Sequence, residues 1–309
     1  MVPFEKKKRI CKENRTLLQL VYLFGSGVMF KRHIQRYFSA YEGVHEIETS
    51  KRLLKLKENE IIEYHNIFGS KVIKLKKFAV YFLLDKGRED VSSINFTAAK
   101  AKKSAYLNQI ILNNASIKAK WPTLDDLFGD LPEITTYFMK QKETYKFLEE
   151  QYKNHYTSRY AYDEIRKLIA TKEMATKFVT NDRTVKKTTF NMNSLQAANI
   201  FFGIKISGTV RPIQQIDLLD LNGLMTPAKF VAKINSTVDY LDVLFDSEEL
   251  DFHYNLYVQS SQRKVVLLRS KDKIDELIRD HCKREISWGI INLNLESTLF
   301  RGQKVLLNV

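Results

Sequence analysis

The stretch from Glu48 to Leu75 constrains the fold more than any other, because the period of its apolar residues changes within it. From Glu48 to about Lys57 the pattern is helical. Leu53, Leu54 and Leu56 supply an apolar side, and Thr49, Ser50, Lys51, Arg52, Lys55 and Lys57 a polar, cationic one. Two strand-forming runs follow, Ile61–Asn66 and Lys71–Leu75. Between them Ile67-Phe68-Gly69-Ser70 carries the Gly-Ser pair of a hairpin turn. A helix that feeds directly into a hairpin has to share a core with it, and that core must come from the residues just upstream.

Those residues fit. Asn14-Arg15-Thr16 precedes the apolar run Leu17–Phe24, which reads as a short buried helix capped by Thr16 or Asn14 and ended by Gly25-Ser26-Gly27. The spacing of Val28, Phe30, Ile34, Tyr37 and Phe38 predicts a second helix over 28–38, with Lys31, Arg32, Gln35 and Arg36 on its other face and a turn at Tyr41-Glu42-Gly43. The apolar run Phe78–Leu84 closes the unit before Asp85-Lys86-Gly87. Three helices and a hairpin, with Ser50-Lys51-Arg52-Leu53-Leu54 leading through Glu60-Ile61-Ile62 to Phe68-Gly69-Ser70-Lys71-Val72, resemble the winged helix-turn-helix family over roughly residues 10–85. The resemblance implies a recognition helix in the major groove of double-stranded DNA. Thr49, Ser50 and Arg52 would face base edges, and Lys51, Lys55 and Lys57 would neutralise phosphates. It also implies a wing tip from Asn66 through Ser70 to Lys71, with Lys74 behind it, on the flanking backbone or minor groove.

Charge distribution points the same way. The net charge is +14, but residues 1–120 hold 24 Lys/Arg and 11 Asp/Glu, a balance of +13, while residues 121–309 hold 26 and 25. Such asymmetry suggests a polyanionic partner for the first part of the chain. With 44% hydrophobic residues a core can form, so the charge does not signal disorder. The longest apolar runs are too short to span a bilayer, and Met1–Lys12 leads into no apolar segment of signal-peptide length. Cys11 and Cys282 have no disulfide-framework spacing. These features predict an intracellular, cytoplasmic protein with no membrane partner.

Downstream, Thr97 is placed to cap a helix carrying Lys100, Lys102 and Lys103, and Trp121-Pro122 breaks the pattern. An irregular apolar stripe at Ile134, Phe138, Met139, Tyr145, Leu148 and Tyr152 predicts a long helix, and residues 163–175 another. Thr180–Arg183 reads as a loop and a domain boundary. After it, helices are expected over 194–202, 226–234 and 274–281, and strands over 252–258, 265–268, 286–293 and 304–307. The expectation is an α+β protein: a winged-helix domain over 1–90, a helical connector over 91–182 and an α/β domain over 183–309.

That order is similar to the replication-relaxation proteins of plasmids and mobile elements, on the strength of Leu250-Asp251 before a strand and of Val265–Leu268 followed by Ser270 and a helix. The resemblance implies a nuclease-like second domain. The family pattern is Arg-Pro-Asp before the sheet, whereas here Arg211-Pro212 is followed by Ile213, and the missing acid removes the basis for inheriting metal chemistry. Asp251 with Gln262 and Lys264 gives only a loose nuclease spacing, Glu249 being the other nearby acid. His33, His45, His65, His155, His253 and His281 form no HxH or HExxH, and no phosphate-loop glycine motif occurs. No catalytic residue, metal site or cofactor is therefore assigned. The expected function is sequence-specific binding of double-stranded DNA in replication, maintenance or transcription of a plasmid or mobile element, with self-association or other DNA-processing proteins as partners. A metal-dependent endonuclease and a protein-interaction module are the alternatives.

Overall fold

The structure is a computed structural model that describes residues 2–129, 175–181, 184–190, 197–206, 213–244, 251–282 and 285–300. The fold is mixed α and β, and no helix among the described residues is long and apolar enough to cross a membrane. The chain divides into two compact units. Of the described residues, 2–129 and 293–300 belong to the first, and those from 175 to 292 to the second.

The first unit begins with helices α1 (Phe4–Glu13) and α2 (Arg15–Gly25), strand β1 (Val28–Phe30), and helices α3 (Lys31–Glu42) and α4 (Glu46–Glu58). The hairpin β2 (Ile62–Ile67) and β3 (Ser70–Leu75) follows, then α5 (Lys77–Leu84), α6 (Ala98–Asn113), α7 (Ala115–Lys120) and α8 (Leu124–Gly129). The three strands form an antiparallel sheet in the order β1-β3-β2, with Met29 opposite Ile73 and Tyr64 opposite the same residue from the other side. Helix α2 is apolar nearly all round, and Leu17, Leu18, Leu20, Val21, Leu23 and Phe24 are all buried, which makes it the centre of the core. It ends where Ser26 takes a left-handed conformation and Gly27 follows with φ +81°. A Cβ on Gly27 would sit 1.9 Å from the Cδ1 of Ile94, so any other residue there displaces Ile94 and strains a backbone at positive φ.

Val28–Phe30 is a strand and not the first turn of a helix. This β-branched and aromatic triplet finds a partner in β3, and pairing across the sheet overrides its helical spacing. The hairpin turn is type I′, with positive φ at both Phe68 (51°) and Gly69 (76°), the turn that matches strand twist. Thr97 caps α6 as expected, accepting from the backbone N–H of Lys100 at 3.1 Å.

The second unit has a hairpin, β4 (Ala175–Asn181) with β5 (Thr184–Phe190), and a four-stranded sheet in the order β6-β7-β8-β9. Strands β6 (Ile200–Ile206) and β7 (Ile213–Leu219) are antiparallel, whereas β8 (Asp251–Val258) runs parallel to β7, and β9 (Ser287–Asn292) parallel to β8. Helix α9 (Pro227–Leu244) joins β7 to β8, and α10 (Ser261–Leu268) and α11 (Lys271–His281) join β8 to β9. A short helix, α12 (Leu295–Thr298), belongs to the first unit. One sheet face, with Ile216, Leu218, Tyr254, Leu256 and Ile290, packs on Phe230 and Ile234 of α9 and Ile274 and Ile278 of α11.

Three expectations fail here. Ile200–Phe202 is strand rather than helix, as its β-branched and aromatic content allows. Thr180 and Asn181 pair with Val185 and Thr184 instead of forming a loop. Val265–Leu268 is the last turn of a helix, with Val265 49% and Val266 47% exposed, rather than a buried strand. A four-residue apolar run has no period of its own, and here the Ser260 hydroxyl decides the matter by accepting from the N–H of Arg263. The expected helix over 134–152, the expected helix over 163–175 apart from Ala175, which opens β4, and the strand over 304–307 lie outside the described residues.

One buried group in the first unit titrates. His33 of α3 is 1% exposed and has its Nε2 3.1 Å from the Oε1 of Gln109. Arg36 donates to that same oxygen at 2.7 Å, and Gln109 donates its own N–H to Asn113, so the oxygen is an acceptor and His33 carries its proton on Nε2. Its Nδ1 is buried without a partner, and burial pushes the imidazole down to about 3. The unfolded chain takes up a proton near pH 6.5 and the folded one resists it, so this contribution to stability is complete above about 6.5 and is lost as pH falls toward 3. The expected loss at pH 4.5 is roughly 2–3 kcal/mol. Thermal unfolding of wild type and His33→Leu across pH 4 to 8 checks it: the gap between the two proteins should shrink on acidification, and a gap independent of pH would show that His33 does not titrate with folding.

Candidate functional site

Helix α4 lies on the surface of the first unit and its residues sort by angle. Thr49, Leu53 and Leu56 face the core, and Ile47, Lys51, Leu54 and Glu58 form the outermost line. Thr49 is fully buried, so it leaves the set of base-facing residues: the side-chain periodicity turns position 49 inward with 53 and 56. Ser50 is half-buried, donating to the carbonyl of Glu46 at 2.8 Å and accepting from Gln35 at 3.0 Å. Arg52 pairs with Glu48 at 3.5 Å and Lys55 with Glu13 of α1 at 2.7 Å, and Lys57 lies 5.1 Å from the ring of Tyr64. Lys51 is exposed and has no ion-pair partner among the described residues. The helix holds four cations against three acids, Glu46, Glu48 and Glu58, so its own excess is small. Its outermost line includes two apolar residues, Ile47 at 62% and Leu54 at 49% exposed.

On the hairpin, Asn66 and Lys71 are exposed, Ser70 is half-buried, and Lys74 is tied to Glu63 at 2.6 Å. The turn itself is held down. The Phe68 ring lies 4.8 Å from that of Phe300, and the Lys102 ammonium is 5.8 Å from the first ring and 5.7 Å from the second. His65 stacks on Phe96 at 3.9 Å. The side of the hairpin away from these contacts carries Asn66 and Lys71.

Much of the basic excess lies where the sequence reading placed no site. Helix α1 presents Lys6, Lys8, Arg9 and Lys12 to solvent. Its Glu13 bonds Lys55 of α4, so the cations of the two helices are parts of one surface. The signal was a run of four consecutive cations, Lys6 to Arg9, too near the start of the sequence to fall within the helix-hairpin pattern.

The second unit holds a polar chain that no motif announced. On the sheet face opposite α9 and α11, strand register sets Gln215 and Asp217 beside His253 and Asn255, and these beside Ser287 and Gly289. Ser287 Oγ lies 2.8 Å from His253 Nδ1, His253 Nε2 is 3.1 Å from Asn255 Oδ1, and Asn255 donates to Asp217 at 3.0 Å. Gln215 also donates to Asp217, at 2.9 and 3.1 Å from its two oxygens. A hydroxyl, an imidazole and an orienting amide in a row resemble an activated nucleophile. The Ser287 hydroxyl, however, has a second acceptor in the carbonyl of Phe252 at 3.3 Å, and the row reads as a structural relay across three strands. The signal for it was period-2 alternation of polar residues within apolar strands, which needs the register to become a cluster.

The loose nuclease spacing does not assemble. Asp251 opens β8, while Gln262 and Lys264 stand on α10 beyond its far end, on the order of 20 Å away at about 3.3 Å per strand residue. Glu249 lies outside the described residues. Among the described residues no three His, Cys, Asp or Glu side chains come together as metal ligands. Comparison with known proteins gave no matching family model, no similar curated protein and no similar solved structure.

Burial pushes Asp217 up to about 8, against the pull of Asn255 and Tyr257, which donate to it. The folded protein thus keeps a proton that the unfolded chain releases near 3.9. Its stabilising contribution is complete below about 4 and is lost as pH rises through about 8. Asp217→Asn keeps the shape and cannot ionise. The stability of wild type relative to this variant should fall steadily from pH 5 to pH 8.5 in denaturant titrations, and a constant difference would mean that the carboxyl is ionised in the folded state.

Proposed function

We propose that the first unit is a winged helix-turn-helix that binds double-stranded DNA through α4, the hairpin and α1. The observation that carries this reading is the order helix, strand, helix, helix, hairpin built on one sheet, with a surface helix leading into the hairpin and cations on both and on the adjoining α1. A surface helix of this kind fits the major groove of B-DNA. Lys51, Lys55 and Lys57 on α4, Lys71 on the hairpin and Arg9 and Lys12 on α1 then meet phosphates. The pairs Lys55–Glu13 and Arg52–Glu48 are exposed, and such pairs contribute about 0–1 kcal/mol, so exchanging them for phosphate contacts costs little. Arg52 is the residue for a guanine edge, and Ile47 and Leu54 suit thymine methyl groups. This function fits the replication, maintenance or transcription of a plasmid or mobile element.

The exposed Ile47 and Leu54 favour a second reading, in which α4 docks on a protein. One experiment separates the two. The full chain is used because Phe300 is buried against Phe30 and Phe68, so a fragment ending at 120 would open the core. Binding to a random duplex pool should fall about a thousandfold between 50 and 200 mM salt if several phosphates are neutralised. Lys51→Ala and Lys71→Ala should each weaken all sequences alike and lower the salt slope, and Arg52→Ala should relax base preference at a cost of about 1–3 kcal/mol. No duplex binding at 50 mM salt, together with self-association abolished by Ile47→Ser and Leu54→Ser, would replace the DNA reading with the protein one.

A further inference from the structure

The first unit contains a cleft of about 490 Å³ between α1, the β2–β3 hairpin, the start of α5 and residues 88–94. Its walls carry five cations, Lys7, Lys74, Lys76, Lys77 and Arg88, and two acids, Glu60 and Glu63. The acids are matched one to one. Lys7 donates to Glu60 at 2.8 Å and Lys74 lies 2.6 Å from Glu63, and these ammonium groups hold both carboxyls below the usual range. Lys76 adds a weaker field at Glu60. That leaves Lys76, Lys77 and Arg88 with no salt-bridge partner among the described residues, three positive charges around one concavity. Lys76 and Lys77 are half-buried and Arg88 is exposed, so all three have the reach to turn toward a multiply charged anion in the cleft. Half-buried Phe78 and Tyr81 form apolar wall beside the cations. The backbone N–H groups that open α5 lie at Lys77 and Phe78, in the same wall.

We propose that this cleft binds a small phosphorylated ligand of mononucleotide size, its phosphates held by Lys76, Lys77 and Arg88. The volume lies within the range of small-molecule sites. A concave site suits a small anion, whereas a duplex needs a convex element such as α4. No phosphate-loop motif is required, because side-chain cations supply what a glycine-rich loop would supply with backbone amides. The proposal does not rest on the DNA-binding reading, since none of these three residues belongs to α4 or to the hairpin.

Isothermal titration of the full chain at 150 mM salt in chelator tests it, with pyrophosphate, a nucleoside triphosphate and the same nucleoside without phosphates as probes. The triphosphate and pyrophosphate should bind and the bare nucleoside should not. Lys77→Gln with Arg88→Gln should weaken the triphosphate at least tenfold while circular dichroism and thermal unfolding stay unchanged, and Lys51→Ala should leave its binding as in wild type. Absence of binding up to millimolar triphosphate, equal affinity in the double variant, or equal affinity for the bare nucleoside would each overturn the proposal. A duplex arm separates the two phosphate sources. Duplex that leaves the triphosphate in place supports a dedicated small-anion site, and duplex that displaces it, with the double variant losing duplex binding as strongly as Lys51→Ala does, would make the cleft part of a DNA surface and sink the idea.

Discussion

A buried lysine beside a pair of aromatic rings ties together distant parts of the first unit. Lys102, 8% exposed, lies within 6 Å of the ring centres of Phe68 and Phe300, and Phe300 packs in turn near Phe30 of β1. Three stretches far apart in the chain meet there: the hairpin turn, α6 and residues 295–300. The arrangement explains why an aromatic residue tolerates a positive φ at position 68, where a bulky side chain is strained. Packing of Phe68 against Phe300 and Lys102 offsets that cost. It also limits the hairpin. A turn anchored on one side has only its other side, with Asn66 and Lys71, to offer a ligand.

The legible part of this fold was the part with a period. Residues 48–75 show a helical repeat, then an alternating one, with a Gly-containing turn, and the structure has α4, β2 and β3 there within two residues at each end. The strand at 251 was equally readable from a clean β-forming run, whereas the helix that begins at Pro227 runs ten residues beyond its expected end at 234 and the one expected from Ile274 begins at Lys271. Two of the failures were short. Val28–Phe30 and Val265–Leu268 have three and four apolar residues, too few to carry a period, and each was decided from outside: the first by pairing with β3, the second by the Ser260 cap. Thr49 illustrates a different limit. Its residue type suits base reading, but its angle on the helix is fixed by Leu53 and Leu56, and those turn it inward.

Site residues were legible only where they were close in sequence. The cations of α4 and the hairpin could be read from one segment. The cleft cations come from positions 7, 74, 76, 77 and 88, and the polar chain of the second unit from 215, 217, 253, 255 and 287. Neither set has a spacing that identifies it, because strand register and helix placement bring its members together.

The charge excess of residues 1–120 has a physical consequence beyond its size. On the surface of α4 and α1 some cations already face acids: Arg52 faces Glu48 and Lys55 faces Glu13. Exposed pairs of this kind cost little to rearrange, so that surface is adaptable and its affinity for any polyanion depends on salt. The cleft is different, because its two acids already face Lys7 and Lys74, while Lys76, Lys77 and the exposed Arg88 line it without a salt-bridge partner among the described residues. The same basic composition thus produces two kinds of surface, a broad one whose exposed pairs exchange partners at low cost and a small concave one whose five cations outnumber its two acids.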